Sequence, residues 1–347
     1  MAPPFGRLLG SGLDARLFTD LSDLGNPQSN LITPNDRFYV RTAARNDLRP
    51  SSPPPSLGAG TELSGTDFAR GTEVGGIDVA RLERSLNRVQ VGPLLMECAG
   101  NSDPTNFGLI SAAVWTGFPM PAVVEQLPPK RSGQRVLVGG ADPAGPSVTS
   151  VPGASWIFSR DELEHAILAV QMNGVPLPRD HGAPARLIVP GWYGCACIKW
   201  VDRVDLVEDE APPTTQMREF AARTQQDPSA RLAREFQPAV IDTAAMPVRV
   251  EKWRDGERVE YRITGIVWGG SKPTNALSIR FKSGQPWVRV DDCPLPASTL
   301  TWSLWTHTWR PEGPGRYEIV LRVDDPSIRT RRLDLFFYVR DIQIDEV

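Results

Sequence analysis

Short apolar runs, each cut off by proline, glycine or a cluster of small polar residues, set the rhythm of this chain. Its 33 prolines break the backbone into brief elements and favour strands and loops over long helices. Residues 1–60 read as an irregular arm, with "RFYVR" as a short strand and "SSPPPSLGAG" as a polar loop. From about 61 to 210 the pattern predicts short strands alternating with short helices. "RVLVGG" and "ARLIVPGW" are compact apolar runs expected as buried strands. The best helical pattern is "SRDELEHAILAV": Leu163, Ala166, Ile167 and Val170 recur at helical spacing behind a Ser159/Glu162 capping box. "KWVDRVDLVEDE" leaves the core as a strand, and 217–238 is a polar, helix-prone connector.

After about residue 239 the period changes to two. "LSIRFKS" alternates Leu277, Ile279 and Phe281 with Ser278, Arg280 and Lys282, and "RYEIVLRV" alternates Tyr317, Ile319, Leu321 and Val323 with mostly polar partners. With "ERVEYRITGIVWGG" and "LDLFFYVRDIQI" these make a set of half-buried antiparallel strands separated by turn residues. The fold class expected is α+β: a mixed α/β domain over 1–235, then an all-β, immunoglobulin-like sandwich over 239–347.

Composition narrows the function. A chain of 347 residues has room for two cores, and a net charge of −3 gives no field suited to nucleic acid or an anionic membrane. No apolar run is long enough to span a bilayer, so the expectation is a soluble protein without membrane insertion. No targeting signal stands out, which leaves cytoplasm and periplasm equally open. Four cysteines are too few for a disulfide scaffold, and Cys195-x-Cys197 with three histidines makes a weak zinc case.

Two stretches carry candidate chemistry. In "LLMECAGNSDPTNFG" an apolar run delivers Glu97 and Cys98 into a small-residue loop. Residue type alone leaves Cys98 three roles. It is a buried core thiol, the usual state of an unpaired cysteine; a nucleophile served by His181 and Asp142; or a soft ligand to a transition metal. In "HGAPARLIVPGWYGCACIKWVDRV" the cationic groups His181, Arg186 and Lys199 surround a glycine-rich turn, Gly191 to Gly194. Such turns expose backbone N–H groups that suit a phosphate, although strand-end charges of this kind are common without any ligand.

Taken together and in order, these stretches resemble the sulfite oxidase family of molybdenum enzymes. "TPNDRFYVR", "ECAGN", "GLISAAVWTGFPM", "QMNGVPLPRDHGAPARLIVPGWYGCACIKWVDRV" and "ITGIVWGG" carry the resemblance over nearly the whole chain. It implies a molybdenum–molybdopterin cofactor with Cys98 as the protein thiolate on the metal. Tyr39, Val40, Arg41, Asp142, His181, Arg186, Cys197, Ile198 and Lys199 would hold the cofactor, and Arg41 and Trp115 would join Cys98 in the catalytic pocket. It also implies oxygen-atom transfer, a small anionic or sulfur-containing substrate, a haem or other electron-transfer protein as acceptor, and a homodimer formed through the β domain.

The pattern departs from the family in two places. Ser102 and Asp103 stand where sulfite oxidases place arginines, and an acid there would repel an oxyanion by on the order of a few kcal/mol in a poorly screened pocket. "TTQMREFAARTQQ" also lacks the family's tyrosine, which leaves Arg329, Arg331 or Arg332 as possible contributors from the second domain. The expectation is therefore a molybdopterin oxidoreductase acting on sulfite or a related small sulfur substrate. Its rivals are a relative acting on another oxo-acceptor such as a sulfoxide, a cysteine hydrolase, and a non-catalytic binding protein with a degenerate cofactor domain.

Overall fold

A computed structural model describes residues 7–9, 16–25, 31–41, 65–66, 73–74, 79–102, 107–128, 133–140, 154–256 and 258–347. Strands dominate it. Among the described residues the α-helices are Val79–Ser85, Met120–Glu125 and Thr215–Glu219, none longer than two turns. The mixed α/β first half expected from sequence is therefore mostly β.

The central sheet is antiparallel. It runs Val175–Pro176, Ile167–Met172, Ile110–Pro119, Val89–Glu97, with Arg186–Ile188 also paired to Ile167–Met172. Ile110–Pro119 is buried almost throughout and is largely apolar, with its buried Ser111 hydroxyl hydrogen-bonded to Thr19 and to the Tyr39 N–H. A second sheet places Arg135–Gly140 between Val201–Val207 and Ser155–Phe158.

The stretch 159–170 departs from its helical pattern. Its capping box forms, with Glu162 accepting from the Ser159 N–H at 2.7 Å and Ser159 Oγ accepting from the Glu162 N–H at 3.1 Å. The turn then ends as a 3-10 helix, Asp161–Leu163, and Ile167–Met172 continues as a strand. Pairing with strands on both sides offers this run two ladders of hydrogen bonds, and that outweighs a helical spacing of four apolar residues. The strand ends in a tight hairpin at Asn173-Gly174, both with positive φ (51° and 80°), as a two-residue primed turn requires.

"RFYVR" is likewise not a strand. Pro34 C=O accepts from the N–H groups of Arg37 and Phe38, turning the chain, and only Val40 pairs, with Leu17.

Beyond residue 243 two antiparallel sheets follow. One is Ala244–Asp255, Arg258–Trp268, Ser303–Trp309; the other is Val288–Arg289, Leu277–Arg280, Gly315–Val323, Arg340–Ile344. "LDLFFYVRDIQI" becomes a strand only from Arg340, because Leu335 C=O takes the N–H groups of Tyr338 and Val339 in a turn. These sheets do not stand apart from the rest. Leu95 N–H donates to Leu300 C=O at 2.7 Å, and Trp302 Nε1 donates to Leu31 C=O at 2.9 Å.

Candidate cofactor site

The strand Val89–Glu97 ends at Cys98, and the next residues explain the local sequence. Cys98 N–H donates to Leu109 C=O at 3.0 Å, and its carbonyl accepts from Asn101 N–H at 2.8 Å. Asn101, fully buried, then closes the loop. Its Oδ1 accepts from the N–H groups of Gly108 (2.8 Å) and Leu109 (2.9 Å), and its Nδ2 donates to Glu97 at 2.7 Å. Gly100 N–H points at Cys98 Sγ, 3.3 Å away. A methyl group on Gly100 would stand 3.1 Å from Arg223 Nη1 and 3.5 Å from Cys98 Sγ, so glycine keeps this approach open.

The second wall is the turn after Arg186–Ile188. Gly194 N–H donates to Glu97 C=O at 2.7 Å, which lays the Cys195–Cys197 turn beside Cys98. A Cβ on Gly194 would come within 2.5 Å of Tyr39 Oη, so only glycine admits the phenol here. Leu187 N–H donates to Ile198 C=O at 2.8 Å and folds the turn back on its strand. Lys199 Nζ reaches Asp180 C=O at 3.1 Å and lies over the Trp200 ring at 4.2 Å.

These elements enclose a cavity of about 280 Å³. Tyr39, Val40, Arg41, Cys98, His181, Arg186, Cys197, Ile198 and Lys199 all line it, which brings together nine of the residues singled out from sequence. Asp142, like Asp103, lies outside the described residues. Trp115 is fully buried in the central sheet and does not line the cavity. It packs edge-on to Phe38 at 5.8 Å and under the Arg186 guanidinium at 5.6 Å. The cavity also takes in Cys195, beside the turn already singled out, and Gln216, Phe220 and Arg223, for which sequence carried no motif.

Electrostatically the cavity wants an anion. Arg41, Arg186, Lys199 and Arg223 line it against the carboxylates of Asp180 and Glu219. Arg186 is 5% exposed, yet among the described residues no carboxylate pairs with it. Its Nη1 donates to His181 C=O at 3.2 Å, its Nη2 contacts Met96 Sδ, and its Nε has no hydrogen-bond partner among the described residues. Burial lowers its pKa, with Tyr39 and Cys197 opposing. A buried, unpaired guanidinium is costly, and an incoming phosphate would relieve that cost. His181 donates Nε2–H to Asn35 C=O at 2.9 Å, and burial lowers its pKa despite Asp180 nearby. Burial pushes the Cys98 thiol up, while the Gly100 N–H, Arg41 and Arg223 pull it down.

Behind Cys98 lies a polar cluster with no sequence signal. Glu97, fully buried, is paired with Arg331, and Trp268 Nε1 donates to its other oxygen at 2.9 Å. Arg331 also reaches Tyr338 Oη at 3.0 Å and Tyr193 Oη. Burial would lower the Arg331 pKa, but Glu97, Tyr338 and Tyr193 raise it overall. Arg331 thus faces away from the cavity as a tether. Arg329 pairs with Asp242 and Arg332 with Asp334, so none of the three candidates from the second domain lines the cavity.

A cavity lined by the Cys98 sulfur and by a buried cation that no described carboxylate pairs with suits one class of ligand, a phosphorylated, metal-bearing cofactor. The residues fit molybdopterin, whose phosphate would answer Arg186 and whose metal would take the Cys98 sulfur. Residues 73–215 match the family model described as "Oxidoreductase molybdopterin binding domain". The chain is 28% identical over 327 residues to sulfite oxidase of Gallus gallus, covering 85% of this chain and 67% of that protein. It is 29% identical over 304 residues to the mitochondrial sulfite oxidase of Homo sapiens, covering 80% of this chain and 52% of that one. It therefore spans about half the length of that mitochondrial relative. Nitrate reductase [NADPH] of Beauveria bassiana is 28% identical over 223 residues, 56% of this chain and 25% of its own. The sulfane dehydrogenase SoxCD from Paracoccus pantotrophus shares the fold, with a TM-score of 0.65, 18% identity, and coverage of 99% of this chain and 87% of that one. Residues 73–215 thus match a molybdopterin-binding oxidoreductase domain, the chain is similar to sulfite oxidases over most of its length, and the cofactor these matches imply is molybdenum–molybdopterin.

Proposed function

We propose that this protein transfers an oxygen atom to or from a small sulfur substrate, in the oxidative direction from sulfite to sulfate. The observation that carries the reading is the pairing, in one cavity, of the Cys98 sulfur with the unanswered Arg186 guanidinium. The bound cofactor supplies the two-electron exchange of an oxo group, chemistry that side chains lack.

The protein's own part follows from its geometry. Cys98 Sγ serves as a metal ligand, oriented by the Gly100 N–H and by the Asn101 closure of its loop. Arg186, with His181 and Lys199, holds the phosphate end, and Tyr39, Val40, Cys197 and Ile198 wall the cofactor from water. Asp142 completes that set as a pterin contact. Arg41 stands at the Cys98 end as a cation for an anionic substrate. Electrons then pass to a haem protein or another external carrier.

We further infer two domains, 1–235 for the cofactor and 239–347 as an immunoglobulin-like sandwich through which two chains dimerise. Support comes from the strands after residue 243, which pair with one another, and from Phe281 stacking on Trp309 at 4.1 Å between the two sheets. Sedimentation at micromolar concentration should give twice the chain mass; a monomer would overturn the dimer.

The test of the activity is Cys98→Ser. The cofactor-loaded wild-type enzyme should change its visible spectrum on sulfite addition and turn sulfite over, and the variant should lose turnover by at least about 10³-fold with its circular dichroism unchanged. Undiminished turnover would refute the ligand role. A loaded wild-type enzyme that ignores sulfite would move the substrate to another oxo-acceptor, such as a sulfoxide.

A further inference from the structure

Arg223 reaches the cavity from the loop after Thr215–Glu219, more than a hundred residues downstream of Cys98. Its Nη1 and the Cys98 sulfur flank the same small space above Gly100, 3.1 Å and 3.5 Å from where a Cβ would stand. The guanidinium is exposed at the rim, over the Phe220 ring at 5.9 Å. Among the described residues it pairs with no carboxylate, whereas Arg234, Arg310, Arg316, Arg322 and Arg332, also on the surface, each hold one. Arg41 lines the same end of the cavity. A guanidinium left unpaired beside a candidate metal ligand, at an opening to solvent, is placed to take two oxygens of a tetrahedral or pyramidal oxyanion in its planar fork.

We propose that Arg223 is the specificity-determining cation of the reaction site, holding a small sulfur oxyanion at the Cys98 end of the cavity. The inference rests on the oxidoreductase reading for turnover, but oxyanion binding does not itself require turnover. Gly100 is then a requirement of the substrate site as well as of the loop, since a side chain there would press on the guanidinium.

The experiment uses cofactor-loaded enzyme with sulfate as a non-reacting probe, by titration calorimetry, beside steady-state kinetics with sulfite. Arg223→Gln should weaken sulfate binding and raise the sulfite KM by about tenfold each, with kcat changed less than about threefold, and Arg223→Lys should recover part of the loss. Equal sulfate affinity in wild type and Arg223→Gln, no measurable sulfate binding in the wild type, or a fall in kcat at unchanged KM would each overturn the proposal. Arg223-dependent sulfate binding without any sulfite turnover would remove sulfite as substrate and leave the binding role standing.

Discussion

The Glu97–Arg331 pair offers the sharpest physical test of how the site is held. Arg331 is 9% exposed and Glu97 0%, so the pair is screened little by water or salt. Replacing Arg331 with methionine keeps most of the volume and removes the charge, stranding a buried carboxylate. Breaking one partner out of such a pair costs about 3–5 kcal/mol. Glu97 would keep two donors, Asn101 Nδ2 at 2.7 Å and Trp268 Nε1 at 2.9 Å, which places the loss near the lower bound. At about 2.1 cal/mol/K per residue, a cooperative unfolding of 347 residues converts about 3 kcal/mol into a fall in Tm of roughly 4 °C. Differential scanning calorimetry on Arg331→Met, Glu97→Gln and the double variant measures it. The double variant should be more stable than the sum of the single losses, because it leaves no charge stranded. A Tm unchanged within 1 °C, or strictly additive losses, would refute the tether.

Two further predictions concern charge. Arg186→Met should move two measurements in opposite directions. Cofactor-free protein should gain stability, because an unpaired buried cation is gone, while molybdopterin retained through purification should fall by about tenfold or more. A drop in both would make Arg186 merely structural. His307 is 7% exposed and stacks on Phe281, and burial lowers its pKa against the opposing pull of Asp291. Between that lowered value and about 6.5 the unfolded chain binds the proton and the folded chain does not, so stability falls as pH drops through this window. His307→Gln should flatten that part of the urea-midpoint profile; an unaltered slope between pH 5 and 7 would contradict it.

What was legible in the sequence was mostly local. "ECAGN" could be read because a single short loop must place a thiolate, an unhindered backbone and a closing amide, and Cys98, Gly100 and Asn101 do this within four residues. The 181–199 segment could be read for the same reason, since His181, Arg186 and Lys199 are brought together by one strand and one turn. Contacts that arrive from afar left no pattern. Arg223 sits in a polar stretch resembling any surface connector, and nothing near Arg331 announces that it is buried against Glu97, 234 positions away. A tryptophan near glycine in an apolar strand looks the same whether it faces a pocket or the core, and the structure buries Trp115 in the central sheet. The run 163–170 misled because apolar residues at helical spacing fit equally a turn, which takes Leu163, followed by a largely buried strand, which takes Ile167 and Val170. The pairing partners settle that choice, and they lie outside the window.

The central claim is that this cavity holds molybdopterin. Metal analysis and oxidised-pterin fluorescence on protein made in a host that supplies the cofactor test it most directly. The account predicts close to one molybdenum and one pterin per chain, with pterin much reduced in Arg186→Met. Correctly folded protein that carries neither would contradict it, and would leave the cavity as a relic of the family's chemistry.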